Sequence, residues 1–288
     1  MQPVIKWSGS KRSQAQEITS YIQKDYDTYY EPFCGSCAIL AYIIEHENDL
    51  AKQFNRFVCS DLNKDLINSY NFIKYNPDKV INDYNFRWNE MNNGTNTIDD
   101  KKVYFNNIRE RLNKNHDCSD FIFIMRTTVN GMPRYNKSGD FNNSFHVTRE
   151  GITPDKFAKI VSKWSELLNK YDVQFVHQSY EKINCSKDDF VYLDPPYANT
   201  KGMYFGGFDK DCFFDFLSDL ECDWMLSYDG ISGNKNLVSE VPENLFKKHI
   251  LIQNIDSSFK KVVGKGEDLN VQESLYLNFE PKFKLTLF

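Results

Sequence analysis

Short unbroken apolar runs alternate along this chain with stretches whose apolar residues recur every three or four positions. The first kind reads as buried strand, the second as one-sided helix. A β-rich segment at Thr28-Tyr29-Tyr30 meets a small-residue turn. A helix then carries Ala38, Leu40, Ala41, Ile43 and Ile44. Phe57-Val58-Cys59 is a second strand, ending in Asp61. Leu62, Leu66, Ile67, Tyr70 and Ile73 follow at helical spacing. From about 75 to 120 Asn, Asp and Tyr are frequent. Asn92-Asn93-Gly94-Thr95 reads as a turn, and a charged helical stretch follows near Lys101 to Leu112. Phe157, Ile160, Val161, Trp164 and Leu167-Leu168 share one side of a helix over 154–171, and Val173 to Val176 is a strand. Phe190 to Leu193, an apolar run between polar neighbours, is another. A helix over Phe213 to Leu220 precedes a strand at Trp224 to Ser227, with Tyr228-Asp229-Gly230 at its end. The alternating segment Ser274 to Phe279 pairs antiparallel with Ile250 to Ile255. The alternation of strands and helices predicts an α/β, Rossmann-like sheet.

The 288 residues suit one large domain or two smaller ones. No run reaches the roughly 20 apolar residues a membrane-spanning helix needs. Lys6, Lys11 and Arg12 lack the apolar stretch of a signal peptide. A cytoplasmic protein is expected. The seven cysteines and the histidines at 46, 116, 146, 177 and 249 make neither a disulfide framework nor a zinc pattern, so no metal is expected. The net charge of −5 argues mildly against a nucleic-acid partner, yet basic residues cluster locally. Residues 1–16 hold Lys6, Lys11 and Arg12 with no acid except beyond them. Residues 125–149 hold Arg126, Arg134, Lys137 and Arg149 against Asp140 alone. A solvated mixed-charge surface explains these equally well on charge alone.

The strongest chemical signal is Asp194-Pro195-Pro196-Tyr197, at the end of the Phe190–Leu193 strand. Ligands of open parallel sheets sit outside the carboxyl ends of their strands. Pro195 has a carbonyl and no N–H. With the Asp194 carboxylate it offers two acceptors and no competing donor, on a backbone two prolines restrict. That pair suits an exocyclic amino group of a nucleobase, with Tyr197 stacking on the ring. The plainer alternative is a strand, a Pro-Pro turn and a capping aspartate.

Other positions sharpen or dilute that reading. In Trp7-Ser8-Gly9-Ser10-Lys11-Arg12, Gly9 permits close approach of a ligand; an ordinary surface loop is the alternative. Glu31-Pro32-Phe33-Cys34-Gly35-Ser36-Cys37 is the strand–turn–helix corner where nucleotide-like ligands lie. Cys34-x-x-Cys37 before a helix is also a thioredoxin-type redox arrangement, though it leaves Asp194-Pro195-Pro196-Tyr197 unexplained. Asp61, about 25 residues past Gly35, stands where an acid holds ribose hydroxyls, or where it caps the next helix. The apolar run Phe121 to Met125 leads into Asn130-Gly131 and Lys137-Ser138-Gly139, two turn signals that predict a protruding hairpin. Arg reads guanine and Asn reads adenine with paired hydrogen bonds, and Lys and Arg hold phosphates. Ser179-Tyr180 lies just beyond a strand, and residues Thr200 to Phe208 form a Gly- and aromatic-rich loop able to close over a base.

Asp-Pro-Pro-Tyr with its preceding strand resembles the catalytic motif of the amino-methyltransferases, in the form typical of adenine enzymes. The chain as a whole, over about residues 5 to 279, resembles the Dam-like, D12-class DNA adenine methyltransferases. Its N-terminal string resembles Lys-Trp-x-Gly-x-Lys-Arg, with Ser10 where a second Gly is common. Its corner resembles Glu-Pro-Phe-x-Gly-x-Gly, with Cys37 replacing the second Gly, and Asp61-Leu62-Asn63 fits Asp-x-Asn-x-x-Leu-Ile. Asn130 to Asn142 fits the long hairpin motif Asn-Gly-x-x-Arg-x-Asn-x-x-Gly-x-Phe-Asn. Asn143-Ser144 stands where GATC-methylating relatives have Val-Pro, so a GATC target is not implied.

The resemblance implies a Rossmann-like S-adenosylmethionine-dependent methyltransferase fold over 1–62 and 150–288. A mainly helical plus hairpin target-recognition domain is implied at 63–149. It implies catalysis by Asp194, Pro195, Pro196 and Tyr197. It implies S-adenosylmethionine bound by Trp7, Lys11, Pro32, Phe33, Gly35, Asp61, Leu62, Tyr180 and Asp194. Arg126, Asn130, Arg134, Asn136, Lys137 and Asn142 are the implied DNA contacts. The expected reaction is methyl transfer to N6 of an adenine flipped out of double-stranded DNA. The implied setting is a monomer on DNA in a bacterial or virus-infected cell, with a cognate restriction endonuclease as a possible partner. N4-cytosine methylation and a catalytically inactive DNA-binding relative remain the alternatives.

Overall fold

The chain enters through a short helix, α1 (Ala15–Thr19), and a largely buried strand, β1 (Tyr26–Glu31). Pro32 ends β1, and a tight turn opens α2 (Ala38–Glu45). Next come β2 (Phe54–Asp61) and α3 (Lys64–Tyr75), capped by Asn63, whose Oδ1 accepts from Leu66 N–H at 3.0 Å. Helices α4 (Pro77–Met91), α5 (Ile98–Asn115) and α6 (Cys118–Thr127) follow. After an irregular loop, α7 (Pro154–Lys170) leads to β3 (Gln174–His177) and β4 (Phe190–Leu193). The last elements are α8 (Lys210–Asp219), β5 (Asp223–Ser232), β6 (Lys235–Asn236), β7 (Lys248–Gln253) and β8 (Val271–Leu277). This computed structural model describes residues 1–148, 150–196, 208–232, 235–236, 241–253 and 271–281. Arg149, Tyr197 and the loop 200–207 lie outside the described residues.

The strands form one sheet in the order β3-β2-β1-β4-β5-β8-β7, with β6 pairing β5. Pairing is parallel from β3 to β5 and antiparallel beyond. Chain order reverses between β1 and β4, the switch point at which such sheets open a crevice. Every residue of β4 is buried, as its unbroken apolar run requires. The expected β7–β8 hairpin forms, with Ile250 opposite Leu275. β5 runs past Tyr228-Asp229-Gly230 to Ser232, because β8 continues beside it across a bulge. A Cβ at Gly230 would meet the Gln272 carbonyl at 2.0 Å, so the two backbones can approach that closely only at a glycine.

α3, α6 and α7 pack through one hydrophobic cluster that continues into the sheet. Tyr70 of α3 stacks on Phe175 of β3 (4.7 Å, 7°), and Trp164 Nε1 of α7 donates to the Gln2 carbonyl at 2.8 Å. The run Phe121–Met125 is the core of α6 and wholly buried. On the same helix Asp120 is 0% exposed and accepts from both Arg87 and Arg111.

The predicted hairpin is only partly realised. Asn130-Gly131 lies in a 3-10 turn, Val129–Gly131, and two isolated bridges, Thr128 with Phe145 and Tyr135 with Phe141, replace a ladder. Pro133 has no N–H to donate, and Arg134 N–H turns back to the Met132 carbonyl at 3.0 Å. The second turn forms as expected: Gly139 N–H reaches the Asn136 carbonyl at 3.1 Å.

Candidate active site

A cleft of about 310 Å³ opens at the switch point, over the carboxyl ends of β1, β2 and β4. Glu31, Asp61 and Asp194 close those three strands, and all three line it. Trp7, Lys11, Pro32, Phe33, Gly35, Leu62, Tyr180, Pro195 and Pro196 line it as well. The structure therefore gathers every described residue proposed above for cofactor or catalysis into one cavity. The hairpin residues proposed for DNA are not among its lining.

The corner after β1 explains its own sequence. Gly35 has φ +44°, and a Cβ there would stand 3.0 Å from the Trp7 ring. The indole packs where a side chain would be. Cys37, in place of a second glycine, also has a left-handed φ, +51°. A glycine preference at 37 thus reflects backbone conformation rather than phosphate packing, and a cysteine there carries a strain of about 1 kcal/mol. Ser10, the other departure, accepts from Ser36 Oγ at 2.9 Å and fastens the N-terminal loop to this corner. Cys34 and Cys37 are free and buried. A redox pair needs an accessible thiolate, so burial disfavours the thioredoxin-type alternative.

Asp61 is held by two backbone donors, Gly35 N–H at 3.2 Å and Asn63 N–H at 2.9 Å. It is not the cap of α3; Asn63 is. Burial nevertheless pushes its carboxyl up to about 6, against those two hydrogen bonds. Asp194 lies across the cleft. Its Oδ1 is 2.9 Å from Lys11 Nζ, which also reaches Gly9 O at 3.1 Å and Glu273 at 3.5 Å. Lys11 is 4% exposed. Burial raises the Asp194 carboxyl to about 6; the Lys11 ammonium pulls it down, and Glu273 pushes it up again. Glu31, buried against Tyr29 Oη (2.7 Å) and Leu40 N–H (3.1 Å), is raised well above the usual carboxylate range by burial.

Aromatic groups form the remaining wall. Phe33 and Tyr180 stack at 5.2 Å and 29°, and Phe208 meets Phe33 edge-on at 6.3 Å. Among the described lining residues, three acids face the one cation, Lys11. Acidic, aromatic and apolar surfaces together suit a flat base, a sugar diol and a positive centre. They do not suit a phosphate chain.

The hairpin sits beside this cleft. Asn130, Arg134, Asn136, Lys137 and Asn142 are exposed. Asn136 Oδ1 is engaged by Ser138 N–H and Asp140 N–H, both at 2.9 Å, so its side chain builds the turn. Arg126 is a correction. Its Nη2 donates to the Pro3 carbonyl at 3.0 Å and its guanidinium lies over the Phe157 ring at 5.6 Å. Half-buried, it anchors the N-terminal segment, where the DNA reading expected an exposed guanidinium. Sequence reasoning passed over Glu31, Asn63 and Tyr135, although each stands within a string singled out above. Glu273 carried no signal, since only the β5–β8 pairing brings it to Lys11.

Among the described residues no group of His, Cys, Asp or Glu could hold a metal ion, and no helix is long and apolar enough to cross a membrane. The chain matches the family described as D12 class N6 adenine-specific DNA methyltransferase over residues 7–264. It is similar to the Type II methyltransferase M.MjaIII of Methanocaldococcus jannaschii, 29% identical over 76% of this chain and 76% of that one. The Type II methyltransferase M.CviBI of Paramecium bursaria Chlorella virus NC1A is 29% identical over 69% and 70%. The Retron Ec67 DNA adenine methylase of Escherichia coli is 26% identical over 86% and 80%.

Proposed function

The chain belongs to the D12 class of N6 adenine-specific DNA methyltransferases, and from that premise we propose how its cleft and hairpin divide the work. The cleft holds S-adenosylmethionine. Asp61 takes the ribose hydroxyls through the acceptor capacity its two backbone donors leave over. Phe33 and Tyr180 take the adenine of the cofactor, and Trp7, Lys11, Pro32, Gly35 and Leu62 complete its walls. The acidic lining favours a cationic donor. When bound, that donor supplies an electrophilic methyl group.

The target adenine leaves the duplex and enters beside Asp194. The Asp194 carboxylate and the Pro195 carbonyl accept from its amino group and localise the nitrogen lone pair. Lys11 holds the carboxylate in place and keeps it ionised at neutral pH. The same carboxylate accepts the proton the amino group sheds. Pro196 stiffens the turn, and Tyr197 stacks on the base. The exposed hairpin residues Asn130, Arg134, Lys137 and Asn142 grip and read the DNA, with Asn136 shaping their turn. In this reading residues 63–149 are the recognition unit and 1–62 with 150–288 the catalytic one. The protein acts in the cytoplasm, as a monomer on its site. The type II names of two relatives motivate a cognate restriction endonuclease as partner.

The observation that carries this reading is the shared cleft of Asp61 and Asp194. Asp194→Ala should abolish tritium transfer from labelled cofactor to DNA even at saturating cofactor, while the melting transition stays. Ordinary turnover by a folded Asp194→Ala variant would falsify it. Mass spectrometry of the product distinguishes N6-methyladenine from N4-methylcytosine.

A further inference from the structure

Asn63 spends each of its polar groups on a different part of the site. Its N–H donates to Asp61 Oδ1 at 2.9 Å, its Oδ1 caps α3 at Leu66 N–H, and its Nδ2 donates to Tyr135 Oη at 2.6 Å. An amide so engaged cannot turn without giving up a bond, so it behaves as a rigid crosspiece. Tyr135 is the far end of that crosspiece. It bridges to Phe141 across the neck of the Asn136–Gly139 turn, with the rings edge-on at 5.7 Å and 89°. It also lines the cleft, together with Pro133. Its chain neighbours Arg134 and Asn136 are exposed, as alternation along an extended segment requires. One side chain therefore faces the nucleoside pocket while the residues on either side face outward. A second clasp holds the hairpin base: Ser8 N–H donates to the Gly131 carbonyl at 2.9 Å.

We infer that the Asn63–Tyr135 hydrogen bond couples occupancy of the cofactor cleft to the grip of the hairpin on DNA, with Tyr135 as a positioning residue. The inference rests on the reading of Asp61 as the ribose ligand. A ligand that engages the Asp61 carboxylate loads the Asn63 N–H bond on one side. The rigid amide passes that restraint to Tyr135 on the other and fixes the neck of the second turn. Coupling is reciprocal, so DNA on the hairpin tightens the nucleoside by the same factor.

Tyr135→Phe removes the hydroxyl that Asn63 Nδ2 reaches and keeps the ring against Phe141. The probe is S-adenosylhomocysteine, which cannot be turned over. The DNA is a duplex carrying the wild-type enzyme's own site, found by sequencing modified bases in a host that expresses it. In the wild type the probe should raise DNA affinity about tenfold. In Tyr135→Phe the gain, scored as the ratio of DNA affinities with and without saturating probe, should fall below about twofold. Full coupling in Tyr135→Phe overturns the inference, as does an uncoupled wild type. A variant that binds the probe poorly without DNA overturns it too, because Tyr135 would then be a direct ligand. A wild-type protein that does not bind the probe at all refutes instead the assignment of the cleft.

Discussion

Lys11 is the residue on which the pH dependence of catalysis should turn. It sits 2.9 Å from Asp194 and 3.5 Å from Glu273, nearly buried, so one ammonium serves two carboxylates. Lys11→Met removes the charge and keeps an unbranched side chain. Burial and Glu273 then act on Asp194 unopposed, and both raise its pKa. An opposite charge this close lowers a carboxyl by about 1 to 3 pH units, so its loss should carry Asp194 from about 6 to about 8. If ionised Asp194 is the acceptor, the rate rises with pH through that value. At pH 7 the wild type would have about 90% of Asp194 ionised and the variant about 10%, a rate loss of about ninefold recovered near pH 9. The assay is tritium transfer to DNA from pH 5 to 9.5 at saturating cofactor, which separates this effect from weaker cofactor binding. An acid limb that stays near 6 with a uniformly lower rate would refute the reasoning and leave Lys11 a cofactor contact only.

The sign on stability runs the other way. The Asp194 carboxyl is raised on folding, from an ordinary 3.8 to about 6. Its contribution to stability is full below pH 3.8 and is lost as pH rises through about 6. Keeping it ionised at neutral pH costs the fold about 3 kcal/mol. The same ionised form is the one the proposed mechanism uses.

Two further outcomes are expected. Asp120→Ala strands Arg87 and Arg111 around a buried gap and should cost about 3 to 5 kcal/mol, read as a lower urea midpoint with an unchanged slope. Arg134→Ala and Lys137→Ala should each weaken DNA binding; where the lost contact is to phosphate, the salt dependence of log affinity should fall by about one, and an unchanged slope would mark a base contact or none.

Much of the fold was legible because its central strands, β1 and β4, are short and largely or wholly buried. Phe190 to Leu193 reads as strand at once, and the charged stretch expected near Lys101 to Leu112 is the helix 98–115, whose start the unread Thr97–Asp100 capping box fixes. The hairpin was less legible for a specific reason. Asn-Gly and Ser-Gly signal turns, but they do not say whether a ladder joins them, and Pro133 between them removes a donor the ladder would need. Arg126 was misplaced because a basic residue beside a turn looks the same in sequence whether it faces a duplex or the Pro3 carbonyl.

The site shows the same division between local and long-range information. Asp61 and Asp194 were visible because one ends a strand and the other directly follows one, and strand ends in a parallel sheet converge whatever lies between. What sets their behaviour was not visible. Lys11 meets Asp194 across 183 positions of chain, and Glu273 joins them only because β8 runs antiparallel beside β5. Asn63 reaches Tyr135 across 72 positions, which no local spacing encodes. A sequence motif can thus name the acceptor of a proton or a methyl donor's partner. The charge state of that acceptor at pH 7, and the Asn63–Tyr135 bond to the hairpin, belong to contacts made only after the chain has closed.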